Sequence, residues 1–217
     1  MTTLLRITCF ILSLIPLHSC GLIEAQAPLR VVRVKALADP SFRERNPRWV
    51  EELRARIEAA SAFFEGEFDL RIATASTGAW PERERIQSTA SLMVKLKNDF
   101  PLAKNDGAFD FIVAFTAERL SRYVATGRPR VDRVGDCRQG LGSYVVTTVG
   151  KIFRDVPGDP DPDYDTVALA HEFAHIFGAE HVKDIDSIMN ETFDHRLAFD
   201  VESHNTILKN RFCPFAK

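Results

Sequence analysis

The stretch LAHEFAHIFGAEHV, residues 169–182, carries three of the six histidines of this 217-residue chain. His171 and His175 are four residues apart, so on a helix they lie on one face, one turn apart, and both can point toward one ion. Glu172 is displaced from them by about 100° around the helix axis. The spacing therefore predicts a helix that presents two imidazole ligands with a carboxylate beside them.

The third histidine of this stretch needs a turn to reach the same ion. His181 follows His175 by six residues, and on a continuous helix it would lie on another face, about 9 Å further along. Gly178 stands between them, and glycine adopts a positive φ without steric cost, so it can end the helix and turn the chain back. The three histidines are therefore predicted to bind one Zn²⁺ per chain, with Glu172 as the catalytic base at an open fourth position.

The complete pattern H-E-x-x-H-x-x-G-x-x-H resembles the signature of the metzincin zinc metalloproteases. Chance would produce it in on the order of one in 10⁵ shuffled chains of this composition. Met189 follows His181 by eight residues, at the position of the metzincin Met-turn. The resemblance implies a zinc-dependent endopeptidase that hydrolyses peptide bonds with a zinc-activated water, the three histidines being ligands and Glu172 the base.

Two positions depart from the patterns of particular metzincin subfamilies. Val182 stands where reprolysins carry an aspartate after the third histidine. Glu191 stands two residues after Met189, where astacins and serralysins carry a tyrosine. The segment 199–213 resembles the C-terminal helix of reprolysin-like members, and the two departures leave the subfamily, reprolysin-like or matrixin-like, open.

The rest of the chain alternates between strand-like and helix-like segments, which predicts an α/β domain. Together with the metzincin resemblance, this implies a mixed twisted sheet with helices, an active-site helix, and a small C-terminal subdomain that ends in a helix. The predicted strands are 29–37, 68–76, 109–116 and 140–153, and the predicted helices are 46–66, 82–100, one that ends near Phe177, and one within 199–213.

Three finer expectations concern how these segments are used. Gly66 is expected just past the end of the first long helix. The spacing of Val201, Leu208 and Phe212, with Asn205, predicts the apolar face of the C-terminal helix. The metzincin resemblance further implies that GLGSYVVTTV, residues 140–149, forms the sheet edge along which an extended substrate adds as a strand.

The N-terminal segment resembles a secretion signal. After Arg6, an apolar run over residues 7–17 is too short to span a bilayer, which predicts a signal peptide over 1–19. LHSC at its end resembles a bacterial lipobox, in which Cys20 would be lipidated. A competing cleavage site follows Ala25-Gln26-Ala27. The mature protein is accordingly expected outside the cytoplasm, lipid-anchored to the bacterial cell envelope or secreted.

Composition limits the domain organisation and the partners. With 45% apolar residues, the chain is expected to form one globular body, a monomer, over 29–217, after a tether over 20–28. The N-terminal subdomain would be 29–178 and the C-terminal subdomain 179–217. A net charge of −2 with dispersed cations argues against nucleic acid as a partner, so the expected partners are a protein or peptide substrate and, through the lipid, a membrane.

Cys137 and Cys213 are the cysteines that remain in the body, and an oxidising compartment permits a disulfide between them; two free thiols are the alternative.

For function, the alternative to an enzyme is a non-catalytic, zinc-stabilised envelope binding module. Glu172 argues against it, because a structural zinc site needs no base and favours a fourth protein ligand. An envelope protein whose zinc site serves one dedicated partner would have the same sequence features.

Overall fold

The structure, a computed structural model, describes residues 29–81, 88–102, 107–118, 130–149, 164–191 and 198–216. Within them the chain forms a five-stranded sheet and five helices. In chain order the elements are β1 (Arg30–Ala38), α1 (Pro40–Arg45), α2 (Trp49–Phe68), β2 (Leu70–Ala79), α3 (Thr89–Asp99), β3 (Phe111–Thr116), β4 (Arg130–Val131), β5 (Tyr144–Thr148), α4 (Tyr164–Ile176) and α5 (Val201–Asn210).

The predicted signal peptide 1–19 and tether 20–28 lie outside the described residues, as does Cys20. Among the residues that the structure does describe, no helix combines the length and apolar character needed to cross a bilayer.

The sheet has the strand order β2-β1-β3-β5-β4, in which β4 alone runs antiparallel to its neighbour. Helices α2 and α4 pack with one face of the sheet around Val34 and Val113, and α3 packs against the other face at Ile112 and Val146. Both faces are covered, which is why β3 is a continuous apolar run rather than an alternating one. The predicted α/β architecture is confirmed.

One helix boundary and one short helix differ from the sequence prediction. Helix α2 continues through Gly66 to Phe68, and the residue that ends it is Asp69, in the left-handed region with φ 49°. The prediction that Gly66 lies past the helix end is therefore wrong, because a glycine inside a helix costs only about 1 kcal/mol and packing on both sides outweighs it. The short helix α1 was not predicted; Asp39 caps it and Pro40 starts it.

The C-terminal helix exposes the face that was predicted to be buried. Val201 and Phe212 are 78% and 55% exposed, whereas Ser203, Ile207 and Asn210 are buried. The spacing of apolar residues predicted the wrong face of α5 because two of the residues on its buried side, Ser203 and Asn210, are polar. One of them, Asn210, is buried because it hydrogen-bonds the chain after α4, as described below.

The predicted substrate edge of the sheet is also corrected. Strand β5 lies inside the sheet, between β3 and β4, with Val145 paired to Val131 and Val146 paired to Arg130. The outer strand is β4, whose two residues are too few to give a strand pattern in the sequence.

Candidate metal centre

Helix α4 carries the first two histidines, and its packing against α2 sets its position. The ring of Phe64 on α2 lies 6.4 Å from that of Phe173 and 6.1 Å from that of Phe177. At the start of α4, Asp165 Oδ2 accepts a hydrogen bond of 3.1 Å from the largely buried guanidinium of Arg56. Aromatic packing at one end and a charged hydrogen bond at the other fix the helix on its neighbour.

His171, Glu172 and His175 are all buried on α4, between 4% and 6% exposed. The two histidines are one turn apart and their Nε2 atoms lie 3.0 Å from each other. Burial lowers the pKa of His175 to about 4; the hydrogen bond to Ala179 partly opposes this shift and the neighbouring His181 adds to it. At neutral pH the imidazole is therefore uncharged, as a metal ligand must be.

The chain reverses just after the helix. Gly178 has φ 98°, its N–H donates to the carbonyl of His175, and the N–H of Ala179 donates to that of Ala174, which together form a Schellman ending. A side chain at position 178 would meet the carbonyl oxygen of Gly135 at 2.4 Å, so both the backbone angle and the space require glycine here.

The reversal brings His181 to the other two histidines. Its Nε2 lies 3.1 Å from Nε2 of His171 and 3.1 Å from Nε2 of His175, so the three nitrogens form a nearly equilateral triangle. Three nitrogen ligands of a tetrahedral zinc ion, each about 2.0–2.1 Å from it, lie roughly 3.3–3.4 Å apart. The observed spacing is within a few tenths of an ångström of that arrangement.

The second nitrogen of each imidazole establishes which atoms face the centre. Nδ1 of His171 lies 2.7 Å from the carbonyl oxygen of Ile188, and Nδ1 of His175 lies 2.6 Å from that of Ala179. A carbonyl oxygen can only accept, so both Nδ1 atoms carry the hydrogen. Nδ1 of His181 has an acceptor as well, Glu191 Oε1 at 2.9 Å.

With the hydrogens on Nδ1, all three Nε2 atoms present lone pairs to one point. The lone pairs of nitrogen atoms 3.0–3.1 Å apart repel one another, and a bound cation relieves that repulsion. The three uncharged imidazoles form the donor set expected for Zn²⁺. The residues present therefore fit a zinc ion, and they are the one such group among the described residues.

Glu172 lies beside this centre without being part of the converging donor set. Its Oε1 is 3.9 Å from Nε2 of His171. A helical neighbour of the first ligand is displaced around the axis, so the carboxylate approaches the centre from the side. This position suits a group that handles a proton next to a metal.

Met189 is fully buried in the core, next to Ile188. Its carbonyl accepts the N–H of Val182, and its own N–H donates to Oγ of Ser187. The residue before it, Ile188, supplies the carbonyl that orients His171. The turn around Met189 therefore supports the histidine site through its backbone.

A disulfide lies close to the segments that contact the C-terminal end of α4. Cys137 and Cys213 are bonded, with their Cα atoms 5.1 Å apart. Near Cys137, the N–H of Gly135 donates a hydrogen bond to the carbonyl of His175. Near Cys213, the side-chain amide of Asn210 donates a hydrogen bond to the backbone carbonyl of Phe177. The bridge thus joins the two segments that donate hydrogen bonds to carbonyls at the C-terminal end of α4.

The site also contains groups that sequence reasoning missed. The carbonyls of Ala179 and Ile188 orient two ligands, and backbone groups leave no signal in a sequence. Asn210 was predicted only as part of the C-terminal helix, without a role of its own. Glu191 was noted only as a departure from subfamily patterns, although a carboxylate two residues after the Met-turn methionine is a signal that could have been followed.

No protein-family model matches this chain, and no curated protein matches it either. Among solved structures the fold is similar to the crystal structure of archaemetzincin from Methanopyrus kandleri, with a TM-score of 0.50 over 83% of this chain and 95% of that one. The two sequences are 18% identical.

The fold is therefore metzincin-like. At 18% identity the similarity shows the fold alone. The parallel strands and the long helix that carries two of the histidines are the features from which that site is built.

Proposed function

We propose that this protein is a zinc-dependent endopeptidase that hydrolyses peptide bonds with Glu172 as general base. The observation that carries the proposal is the convergence of three Nε2 atoms, 3.0–3.1 Å apart, beside a buried carboxylate. Three protein ligands leave a coordination position open, which is typical of catalytic zinc sites and not of structural ones.

The chemistry divides between the metal and the chain. Bound zinc supplies a Lewis acid that lowers the pKa of a coordinated water toward about 7 and polarises a carbonyl. Glu172 accepts the proton of the attacking water on its carboxylate and delivers it to the nitrogen of the leaving amine. The low exposure of Glu172 keeps this proton away from bulk solvent during the reaction.

An extended substrate would be held by the outer strand β4. Along Val145 and Val146, β5 is already paired with β4 and cannot also receive a substrate strand. Backbone hydrogen bonds to β4 would hold any sequence, which suits a protease whose specificity depends on side-chain pockets.

The setting and partners of the enzyme are also part of the proposal. A signal peptide over 1–19 and lipidation at Cys20 would place it outside the cytoplasm on the bacterial envelope, as a monomer that acts on proteins or peptides and not on nucleic acid. The disulfide between Cys137 and Cys213 is consistent with an oxidising compartment.

The test is metal-dependent cleavage of a random peptide pool by the mature protein, with new amino termini counted by mass spectrometry. We expect cleavage that stops when a zinc chelator is added and returns when zinc is restored. A protein that holds zinc but cleaves nothing in the pool would contradict the endopeptidase proposal and favour the zinc-stabilised binding module.

A further inference from the structure

The three imidazoles of the metal centre are oriented in two different ways. His171 and His175 are buried, and backbone carbonyls accept their Nδ1 hydrogens. His181 has a side chain that is 45% exposed, and its acceptor is a side chain, Glu191, with Oε1 at 2.9 Å from Nδ1. The orientation of His181 thus depends on one side chain, which a substitution can remove. The orientations of the other two imidazoles depend on backbone carbonyls, which a substitution leaves in place.

We propose that Glu191 is a positioning residue that holds His181 in the orientation and tautomer required for metal binding. This inference rests on the proposed zinc site and adds to it a residue that controls how tightly the metal is held. A carboxylate that accepts the Nδ1 hydrogen of a ligating histidine fixes the ring and makes Nε2 a stronger donor.

The backbone explains why Glu191 arrives at this place. Val182, which follows His181, pairs with Asn190 in a parallel bridge, and the N–H of Val182 donates to the carbonyl of Met189. The bridge holds the two segments side by side, so Glu191, one residue after Asn190, is close enough to His181, one residue before Val182, for the side chains to meet diagonally across it. Asn190 is itself held by a hydrogen bond from Nδ2 to the carbonyl of Asp184. The turn around Met189 sets Glu191 against the third ligand.

The exposure of Glu191 and His181 determines whether their contact contributes to folding stability or to metal affinity. Glu191 is 62% exposed and His181 45%, and pairs between exposed groups add little to folding stability. The consequence of the contact is therefore expected in metal affinity, where a partner of a ligating histidine typically accounts for about 10–100-fold. Since water competes for the exposed Nδ1 hydrogen, we expect the lower end of that range.

The experiment compares zinc affinity, by competition with a chromophoric chelator, in the wild type, Glu191→Ala, Glu191→Gln and Glu180→Ala. Glu191→Ala should bind zinc about 10-fold more weakly. Glu191→Gln should fall between it and the wild type, because the amide oxygen still accepts the hydrogen bond. Glu180→Ala removes an exposed carboxylate adjacent to His181 in sequence and is the matched control, with affinity within about twofold of the wild type.

A second measurement separates orientation from general disturbance. In zinc-loaded wild type, NMR should detect Nδ1–H signals from His171, His175 and His181. In Glu191→Ala the His181 signal should be lost to exchange with water while the other two remain, and thermal unfolding of the zinc-free protein should be unchanged. A wild type that takes up no zinc would overturn the proposed function and this inference together, whereas equal zinc affinity of wild type and Glu191→Ala would overturn this inference alone.

Discussion

Replacing Glu172 by glutamine is expected to leave zinc content unchanged and to lower peptide hydrolysis by about 10²–10⁴-fold. The amide has the same shape as the carboxylate and fits the same buried position on α4, so the three imidazoles keep their arrangement. It cannot take a proton from the attacking water at neutral pH. The turnover number should therefore fall while the metal remains bound.

The measurement is kcat on a cleavable peptide from the pool, with zinc determined on the same samples. Glu180→Gln is the control, because it removes an exposed carboxylate from the same motif and should keep wild-type activity. Wild-type hydrolysis by Glu172→Gln would show that another group acts as base. A binding module would instead show no hydrolysis in either form and no functional loss in the variant.

The second large effect is expected from His175→Ala, which should lose zinc affinity by roughly 10²–10³-fold. Site binding energies of about 10–16 kcal/mol for four ligands correspond to roughly 2.5–4 kcal/mol per ligand. The substitution also leaves the Ala179 carbonyl without the Nδ1 hydrogen that it accepts at 2.6 Å. Two imidazoles are too few to retain zinc against a moderate chelator.

The matched control for this variant is His204→Ala. His204 lies on α5, where its ring packs 4.9 Å from that of Phe68, away from the three converging nitrogens. Its removal should leave zinc affinity at the wild-type value. Zinc retention by His175→Ala equal to that of His204→Ala, measured by equilibrium competition, would refute the assignment of His175 as a ligand.

The parts of the site that follow local rules could be predicted from the sequence. The spacing of His171 and His175 defines one face of a helix, and Gly178 gives the chain the one residue that can reverse it. Strand β3 was found because burial on both faces leaves a continuous apolar run, and β1 and β2 were found from partial alternation of apolar and polar residues. These features depend on neighbours in the chain, which a sequence shows directly.

The parts that depend on distant partners could not be predicted in the same way. Asn210 is buried because the carbonyl of Phe177 needs a donor, and this reversed the predicted face of α5. Strand β4 is two residues long and exists only through its pairing with β5. The partnership of Glu191 with His181 requires the bridge between Val182 and Asn190, which no spacing rule specifies.

The central claim, one zinc ion held by three imidazole nitrogens, is tested most directly by metal analysis and X-ray absorption on the zinc-supplemented mature protein. The account predicts one zinc per chain, with nitrogen ligands at about 2.0–2.1 Å and no sulfur in the shell. A stoichiometry near zero after supplementation, or a shell that contains sulfur at about 2.3 Å, would contradict it.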